Sequence, residues 1–377
     1  MKQIIALMLC AMLLAGCSSG SQGQSTELVS SVQEMADSAV SSVPASSVQT
    51  VQAADPTPQP TPTVLPLTGL PAEGEAMRPV AVMLNNSTAV TAQWGVADAD
   101  VMMEARTEGK QTNLCLWFSS LNSMPKTGPI GEGKDLFWQF AIAQNALLSQ
   151  KGMTRYAENL LNCYSYQPID ALYVGVNSYD YDHNLTPGVP EEFHWYTRGS
   201  SLAYSLAGYG LSAAGSSAPM FRFGQANGGT AGAAEVRIAY SAESGAILRY
   251  NAELGLWQMY RTYDIPMTDV ETGAHAGFTN LFLLNCPVGL KDDKFTRNYD
   301  LTGGTGWYLT GDFWQPITWK KGDVTQPLVL YDANGSELTV NTGRSYVGFY
   351  GIPDQKAIIL SADGTELVHD AVTVPMA

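Results

Sequence analysis

Three apolar runs between residues 78 and 134 constrain the fold more than any other part of the sequence. They cover residues 79–84, 101–104 and 113–118, and polar turns separate them. Short apolar runs bounded by turns are typical of β-strands. A glycine-rich loop over residues 128–134 follows and leads into a helical pattern. The sequence therefore predicts three strands and a loop before a helix, with a candidate ligand site at that loop.

The pattern of apolar residues changes further along the chain. It predicts helices over residues 135–149, 154–161 and 200–207, a strand over 171–176 and a loop over 177–196. Beyond a glycine-rich segment at 224–232, short alternating runs separated by glycine and asparagine predict a mostly β second half. The predicted strands there cover residues 236–240, 246–250, 257–260, 279–284, 307–309, 317–319, 328–331, 338–340 and 346–350. Asn334-Gly335 predicts a hairpin turn.

The amino-terminal segment has the pattern of a bacterial lipoprotein signal. Lys2 precedes an apolar stretch over residues 4–14, and Leu14-Ala15-Gly16-Cys17 matches a lipobox. The stretch is shorter than the roughly 20 apolar residues that span a membrane. We therefore expect residues 1–16 to be a signal peptide that is removed, and Cys17 to be lipidated. The expected location is the extracytoplasmic face of the cell membrane, with the lipid as anchor.

Composition divides the rest of the chain. Residues 17–63 are rich in Ser, Thr, Gln and Pro and contain no Lys or Arg, so we expect a disordered linker. The remaining length suits two domains, which we place at 64–225, with mixed α/β structure, and at 226–377, with mostly β structure. The formal net charge of −15 argues against a nucleic-acid partner.

Polar residues beside the predicted strands form the candidate ligand site. They are Asn85, Asn86, Asp100, Glu104, Glu108, Lys134, His194, Tyr196 and Thr197. Alternation along the second strand would place Asp98, Asp100 and Glu104 on one face. That face is either a paired-carboxylate acid–base site or a solvated strand edge. His194 is either a proton shuttle for this face or a structural histidine, and our hypothesis is that Lys134 and His194 line one site.

The loop from Gly128 to Asp135 is similar to a phosphate-binding loop. It lacks the Ser or Thr that follows the lysine and holds Mg²⁺ in such loops. We therefore expect Asp135 to be a helix N-cap. A weaker anion site, made of the helix amino terminus and Lys134, is the alternative.

A second loop imitates a calcium-binding loop. Its candidate metal ligands are Asp180, Asp182, Asn184 and Glu191. Leu185 stands where such a loop has a sharp-turn glycine. We therefore favour a solvated acidic loop and expect no cofactor, with Ca²⁺ as the alternative.

The motifs of several known hydrolases are absent from the two predicted domains. Between residues 64 and 377 the sequence contains no His-Glu-x-x-His, no Cys-x-x-Cys and no Gly-x-Ser-x-Gly. Besides Cys17, the chain without its signal retains Cys115, Cys163 and Cys286. We expect these three to be free thiols, with one disulfide as the alternative.

The order of several short motifs resembles the DUF3048 family of YerB-type lipoproteins. The motifs are Pro66-Leu-Thr-Gly-Leu-Pro71, Val80-Ala-Val-Met-Leu-Asn-Asn86, Gly128-Pro-Ile130, Ile317-Thr-Trp-Lys-Lys321 and Asn341-Thr-Gly-Arg-Ser-Tyr-Val347. The resemblance implies a two-domain extracytoplasmic lipoprotein without an established activity. Family members typically continue the Gly-Pro motif with Arg-Ser-Ala-Arg, whereas this chain has Gly131-Glu-Gly-Lys134. Any anion site built on paired arginines would be weaker here.

Two functions follow from these observations. The first is a cell-envelope lipoprotein that binds a ligand or a partner, an envelope glycan or a protein, without catalysis. The alternative is an enzyme acting on a cell-envelope glycopolymer or a polyprenyl-phosphate precursor. For the alternative, the layout of Asp100, Glu104 and Gly128 is similar to that of LytR-CpsA-Psr phosphotransferases, but their arginines are missing.

Overall fold

The three apolar runs form neighbouring antiparallel strands. Strand β1 covers Val80–Asn86, β2 covers Val101–Ala105 and β3 covers Thr112–Phe118. Strand β3 lies between the other two, with Leu116 opposite both Val82 and Met102. The strands are buried along almost their whole length, which explains their continuous apolar sequence. The prediction of three strands is confirmed.

The computed structural model describes residues 64–174, 178–185 and 188–372. The predicted signal peptide, lipidated Cys17 and linker over 17–63 lie outside the described residues. No helix in the described ranges combines the length and the apolar character that a membrane span requires.

The rest of the first half contains short strands and all four α-helices of the described residues. The strands are β4 (Leu147–Gln150), β5 (Ile169–Asp170), β6 (Tyr179–Tyr181), β7 (Trp195–Thr197) and β8 (Arg222–Phe223). The helices are α1 (Asp135–Ala143), α2 (Arg155–Cys163), α3 (Ala171–Val174) and α4 (Gly199–Ser205). The helices predicted at 154–161 and 200–207 are thus confirmed as α2 and α4.

The first predicted helix is too long. Helix α1 ends at Ala143 because Asn145 has a left-handed backbone, with φ of 50°. Leu147 and Leu148, which we assigned to the helix, lie in β4 and pair in parallel with β1. The prediction that Asp135 is the N-cap is also wrong, since Lys134 occupies the N-cap and Asp135 is the first helical residue.

Two further predictions near residue 175 need correction. The strand expected over 171–176 begins instead as helix α3, and the strand β5 precedes it. The Asp170 carboxylate accepts the Leu172 N–H at 2.9 Å, and such a contact favours the start of a helical turn. The loop expected over 177–196 contains β6, which pairs with β7.

The second half is mostly β, as predicted. Its strands are β9 (Glu235–Ala239), β10 (Gly245–Asn251), β11 (Leu256–Arg261), β12 (Ile265–Pro266), β13 (Gly277–Phe278), β14 (Asn280–Asn285), β15 (Val288–Leu290), β16 (Arg297–Tyr299), β17 (Gly304–Thr310), β18 (Phe313–Lys320), β19 (Val329–Tyr331), β20 (Thr339–Val340), β21 (Ser345–Tyr350), β22 (Lys356–Leu360) and β23 (Glu366–Ala371). The Asn334-Gly335 turn is confirmed, since Leu338 donates its N–H across it to Leu330.

One large sheet takes strands from both halves of the chain. Its order is β19-β18-β17-β14-β21-β2-β3-β1-β4-β5. Strand β21 lies between β14 and β2 and runs parallel to both. The described residues as a whole are therefore mostly β. The boundary at 225/226 and the α/β class of the first half stay predictions.

Each face of the large sheet contributes to a different hydrophobic cluster. Val82, Met102 and Leu116 pack in one cluster with residues of a second sheet, such as Leu248 and Trp257. That second sheet has the order β12-β11-β10-β9-β22-β23, with β13 beside β11. On the other face, Met83 and Cys115 cluster with residues of α1, including Phe137 and Phe140. The sheet therefore lies between the second sheet and helix α1.

The cysteines of the described residues are free, as predicted. Cys115 and Cys286 are buried, whereas Cys163 at the end of α2 is exposed. Burial raises the pKa of the Cys115 thiol well above its ordinary value and that of Cys286 to about 12.

Candidate functional site

A cavity, which we call the strand-end cavity, opens where three parallel strands end. Strand β4 runs parallel to β1 and to β5, so the carboxyl ends of the three meet at one edge of the large sheet. Asn85 near the end of β1, Lys151 directly after β4 and Asp170 at the end of β5 all line a cavity of about 520 Å³. Ligands of open sheets with parallel strands bind at this position, and the volume suits a small molecule.

The glycine-rich loop closes one side of this cavity by packing against the sheet. Gly131 donates its N–H to Met83, and Gly133 donates to Gly152. A Cβ on Gly133 would lie 2.0 Å from Gln150 Oε1. The glycines therefore permit close backbone packing. Because protein carbonyls occupy these N–H groups, the loop lacks the converging donors of a phosphate-binding loop.

Lys134 is buried at the base of the loop. Its Nζ donates to Glu108 Oε2 at 2.8 Å and to Glu132 Oε2 at 2.5 Å. Glu132 is half exposed and lines the cavity, whereas Glu108 Oε1 is buried without a hydrogen-bond partner among the described residues. The ammonium is thus held by two carboxylates, which leaves less positive charge for the anion site considered from the sequence.

The remaining charges of the cavity are mostly negative. Glu158 in α2 and Glu192 line it, and neither carboxylate has a hydrogen-bond partner among the described residues. Lys151 is the one basic residue that lines it within the described ranges, and its Nζ lies 5.3 Å from the centre of the Trp195 ring. Leu172 and Met153 add apolar surface.

Asp170 fixes the floor of the cavity. Its Oδ1 accepts the N–H groups of Gly152 and Leu172, each at 2.9 Å. Its Oδ2 accepts Gln150 Nε2 at 2.8 Å, and Gln150 in turn accepts the Trp138 indole N–H at 2.8 Å. These bonds satisfy the buried carboxylate and make it a rigid part of the wall.

Glu104 lies away from this cavity, in a buried network. Its carboxylate accepts Thr112 Oγ1 at 2.6 Å, Tyr346 OH at 2.7 Å and Asn86 Nδ2 at 3.0 Å. Tyr346 also contacts Tyr240 OH at 2.9 Å. Burial raises the pKa of Glu104, and the hydrogen bonds oppose this shift. Asn86 and Glu104 thus bind each other.

Asp100 belongs to a different set of contacts. Its Oδ2 accepts the Ser119 N–H at 2.7 Å and the Ser119 hydroxyl at 2.6 Å. Burial raises the pKa of this carboxyl, and the bonds to Ser119 lower it. Burial also raises the pKa of Asp98. The charge of Asp269 raises this pKa further, and that of Arg344 lowers it. Asp100 and Glu104 therefore have different hydrogen-bond partners and do not contact each other.

His194, Tyr196 and Thr197 stabilise the segment around β6 and β7. His194 Nδ1 contacts the Asp182 carbonyl at 2.7 Å and Nε2 contacts the Val189 carbonyl at 3.2 Å. Tyr196 donates its hydroxyl to Asp180 Oδ2 at 2.9 Å, and Thr197 Oγ1 donates to the Ser178 carbonyl. These contacts differ from those of Lys134, and the hypothesis of a shared site stays a prediction.

The calcium-like loop has protein partners for its carboxylates. Asp182 forms an ion pair with Lys126 at 3.0 Å, and its Oδ1 accepts the Asn184 N–H. Lys126 also lies 4.1 Å from the centre of the Tyr196 ring. Glu191 begins a short 3₁₀ turn. In the residues that the structure describes, no group of three or more His, Cys, Asp or Glu side chains is arranged to hold a metal ion. The Ca²⁺ alternative stays untested.

Sequence reasoning located part of this site. It selected Asn85 and the glycine-rich loop, but it missed Lys151, Glu158, Asp170 and Glu192. Lys151 follows the short strand β4, Asp170 ends the two-residue strand β5, and Glu192 lies within the short turn before β7. A correct end for helix α1 would have revealed β4 and, with it, the parallel strand ends.

Comparison with known proteins identifies the family of this chain. The model described as "Protein of unknown function (DUF3048) N-terminal domain" matches residues 67–198, and the model of the DUF3048 C-terminal domain matches residues 236–347. A protein of Bacillus subtilis strain 168 that is named as a lipoprotein, YerB, is 26% identical over 303 residues, which cover 78% of this chain and 88% of YerB. The crystal structure of YerB from Bacillus subtilis has a TM-score of 0.68 at 22% identity, and the match covers 76% of this chain and 96% of that one. The resemblance inferred from the motifs is confirmed, and with both domains present in the expected order the chain belongs to the DUF3048 family.

Proposed function

We propose that this protein is a lipid-anchored binding protein of the bacterial cell envelope, which binds a ligand without catalysis. Its ligand site is the cavity at the carboxyl ends of β1, β4 and β5. The observation that carries the proposal is the position of the cavity, because the loops after parallel strands are where such sheets bind ligands. The proposal includes an α/β first half that carries this site.

The charge of the cavity favours a ligand with a positive group. Glu158 and Glu192 contribute carboxylates without a partner among the described residues, while Glu132 is paired with Lys134. Among the described residues that line the cavity, Lys151 alone opposes them. An organic amine would gain charge-assisted hydrogen bonds there, whereas a phosphate would meet repulsion. The formal net charge of −15 acts in the same direction.

Three titratable side chains are engaged by protein partners, which supports a binding role for this part of the protein. Glu104 uses both carboxylate oxygens in bonds to protein donors, and Asp170 does the same. Both ring nitrogens of His194 contact backbone carbonyls. A general base must lie within hydrogen-bond reach of its substrate, and the contacts of these three groups are made with protein atoms instead.

The location is part of the proposal. The lipobox ending at Cys17 and a relative named as a lipoprotein support an anchor in the outer face of the cytoplasmic membrane. A component of the envelope, such as a glycan or another protein, is then the expected partner.

A thermal-shift experiment tests the site. The full-length protein in detergent is heated with organic amines, inorganic phosphate, Ca²⁺, Mg²⁺ and wall-glycan fragments, because a ligand of the folded state raises the melting temperature. We expect an amine to raise it, and Glu192→Gln to reduce that effect. Glu191→Gln is the matched control, since Glu191 is the exposed neighbour and does not line the cavity. The proposal fails if no amine raises the melting temperature, or if both variants respond like the wild type.

A further inference from the structure

A second cavity opens between the two sheets, away from the strand ends. It has a volume of about 430 Å³ and is lined by β17, β18 and the hairpin at 332–335, with Asp370 of β23 on the opposite side. Its volume falls within the range of roughly 300–1,000 Å³ that is typical of ligand pockets.

One wall of this cavity is a flat patch on the large sheet. Trp307 pairs with Pro316, and Thr305 pairs with Thr318. Since alternate residues of a strand share a face, these four side chains lie next to each other. Pro316, Thr305 and Thr318 are exposed, and Trp307 is half-buried. The patch therefore presents an indole, a proline ring and two hydroxyl groups.

The indole is held in place by a carboxylate. Trp307 Nε1 donates to Asp370 Oδ2 at 3.0 Å, and Tyr350 donates its hydroxyl to the same oxygen at 2.7 Å. The other oxygen of Asp370 has no hydrogen-bond partner among the described residues. Asp332 is similar, because its Oδ1 accepts the N–H groups of Asn334 and Ser336 and its Oδ2 has no such partner. Two acceptors thus remain in the cavity lining.

We propose that this inter-sheet cavity is a saccharide-binding site, independent of the strand-end cavity. A sugar ring has an apolar face of C–H groups, which packs on the negative face of an indole. Its hydroxyl groups point outward from the ring and would donate to Asp332 and Asp370. Among the described residues that line the cavity there is no lysine or arginine, which disfavours a phosphate or a uronate. We assign an uncharged part of a glycan because ring C–H groups match the indole and hydroxyl groups match the two acceptors.

Calorimetric titration of the full-length protein in detergent tests this proposal. The probes are chitotetraose and cellotetraose, two uncharged oligosaccharides, and choline, a cation that an indole and carboxylates could bind instead. We expect one oligosaccharide to bind at millimolar concentration or below. Trp307→Leu should lower that affinity about tenfold or more.

Two further variants make the result decisive. Thr318→Arg places a long side chain on the exposed patch without changing the core, and it should also abolish binding, even if Trp307→Leu fails to fold. Phe313→Ala is the matched control, because Phe313 is an exposed aromatic residue of the same strand outside the cavity, and it should bind like the wild type. The proposal would be overturned if neither oligosaccharide bound, if choline alone bound, or if Thr318→Arg bound the oligosaccharide like the wild type.

Discussion

Replacing Glu104 with leucine tests whether this buried carboxylate is structural. Glu104 lies in β2, and its partners come from β1, β3 and β21. Leucine fills a similar volume but accepts no hydrogen bond, so three buried donors lose their acceptor. If the network holds the sheet together, the free energy of unfolding must fall.

The size of the stability loss depends on whether each of the three donors retains another hydrogen-bond partner in the Glu104→Leu variant. Asn86 keeps its bond to Thr112 at 2.7 Å, and Tyr346 keeps its contact with Tyr240. The Thr112 hydroxyl has no other acceptor among the described contacts. An unsatisfied buried donor costs about 1–3 kcal/mol, and with weaker losses at the other two donors we expect about 3 kcal/mol in all. Since the unfolding entropy is about 2.1 cal/mol/K per residue, the melting temperature should fall by about 5 °C.

The pH dependence of the free energy of unfolding separates the effect of the titrating carboxyl group from the effect of side-chain shape. Burial raises the pKa of Glu104 above its ordinary value of 4.5, so the folded state binds the proton more tightly than the unfolded state. The stability that this group contributes is fully present below pH 4.5 and is lost as the pH rises through the pKa of the folded state. Glu104→Gln keeps the shape and cannot titrate. The free energy of unfolding of the wild type should therefore fall with pH in this window relative to that of the Gln variant.

Urea unfolding followed by circular dichroism, from pH 4 to 8, measures both effects. The reasoning would be refuted if Glu104→Leu were as stable as the wild type, or if the difference between the wild type and Glu104→Gln stayed constant across the window.

Three other predictions concern packing and thiol access. Lys321→Met should lower the free energy of unfolding by about 3 kcal/mol in a urea titration, because the buried Lys321 ammonium donates to the carbonyls of Asp323, Val324 and Gln326; Lys320→Met, an exposed neighbour, should have little effect. Gly133→Ala should lower the melting temperature by several degrees, since the new Cβ would lie 2.0 Å from Gln150 Oε1; an unchanged value would contradict the close packing of the loop. Iodoacetamide should alkylate Cys163 in the folded protein and spare Cys115 and Cys286. Mass spectrometry of tryptic peptides measures this, and alkylation of Cys115 or Cys286 would contradict their burial.

The sequence was sufficient for elements that local signals define. The three apolar runs, helix α2 and the hairpin at Asn334-Gly335 all have strong local patterns. The end of α1 has none, because Leu147 and Leu148 fit either a helical face or a buried strand. Only the pairing of β4 with β1 decides between these two assignments.

The candidate site was harder to predict for a related reason. Lys134 and His194 are conspicuous in sequence, but their contacts hold local structure. Glu158, Asp170 and Glu192 have ordinary sequence surroundings and become site residues only because parallel strands end beside them. Likewise, nothing local to residues 345–350 indicates that they form β21 beside β2.

The position of β21 has a consequence for how the protein is made. Strand β2 pairs with Ser345–Phe349, more than 240 residues later in the chain. Synthesis begins at the amino terminus, so the apolar strand β2 has one unpaired edge until almost the whole chain has been made. Such distant pairing slows folding and exposes an aggregation-prone edge. We therefore expect the nascent chain to need a chaperone, and a chain truncated at residue 344 to aggregate rather than to fold as a smaller protein.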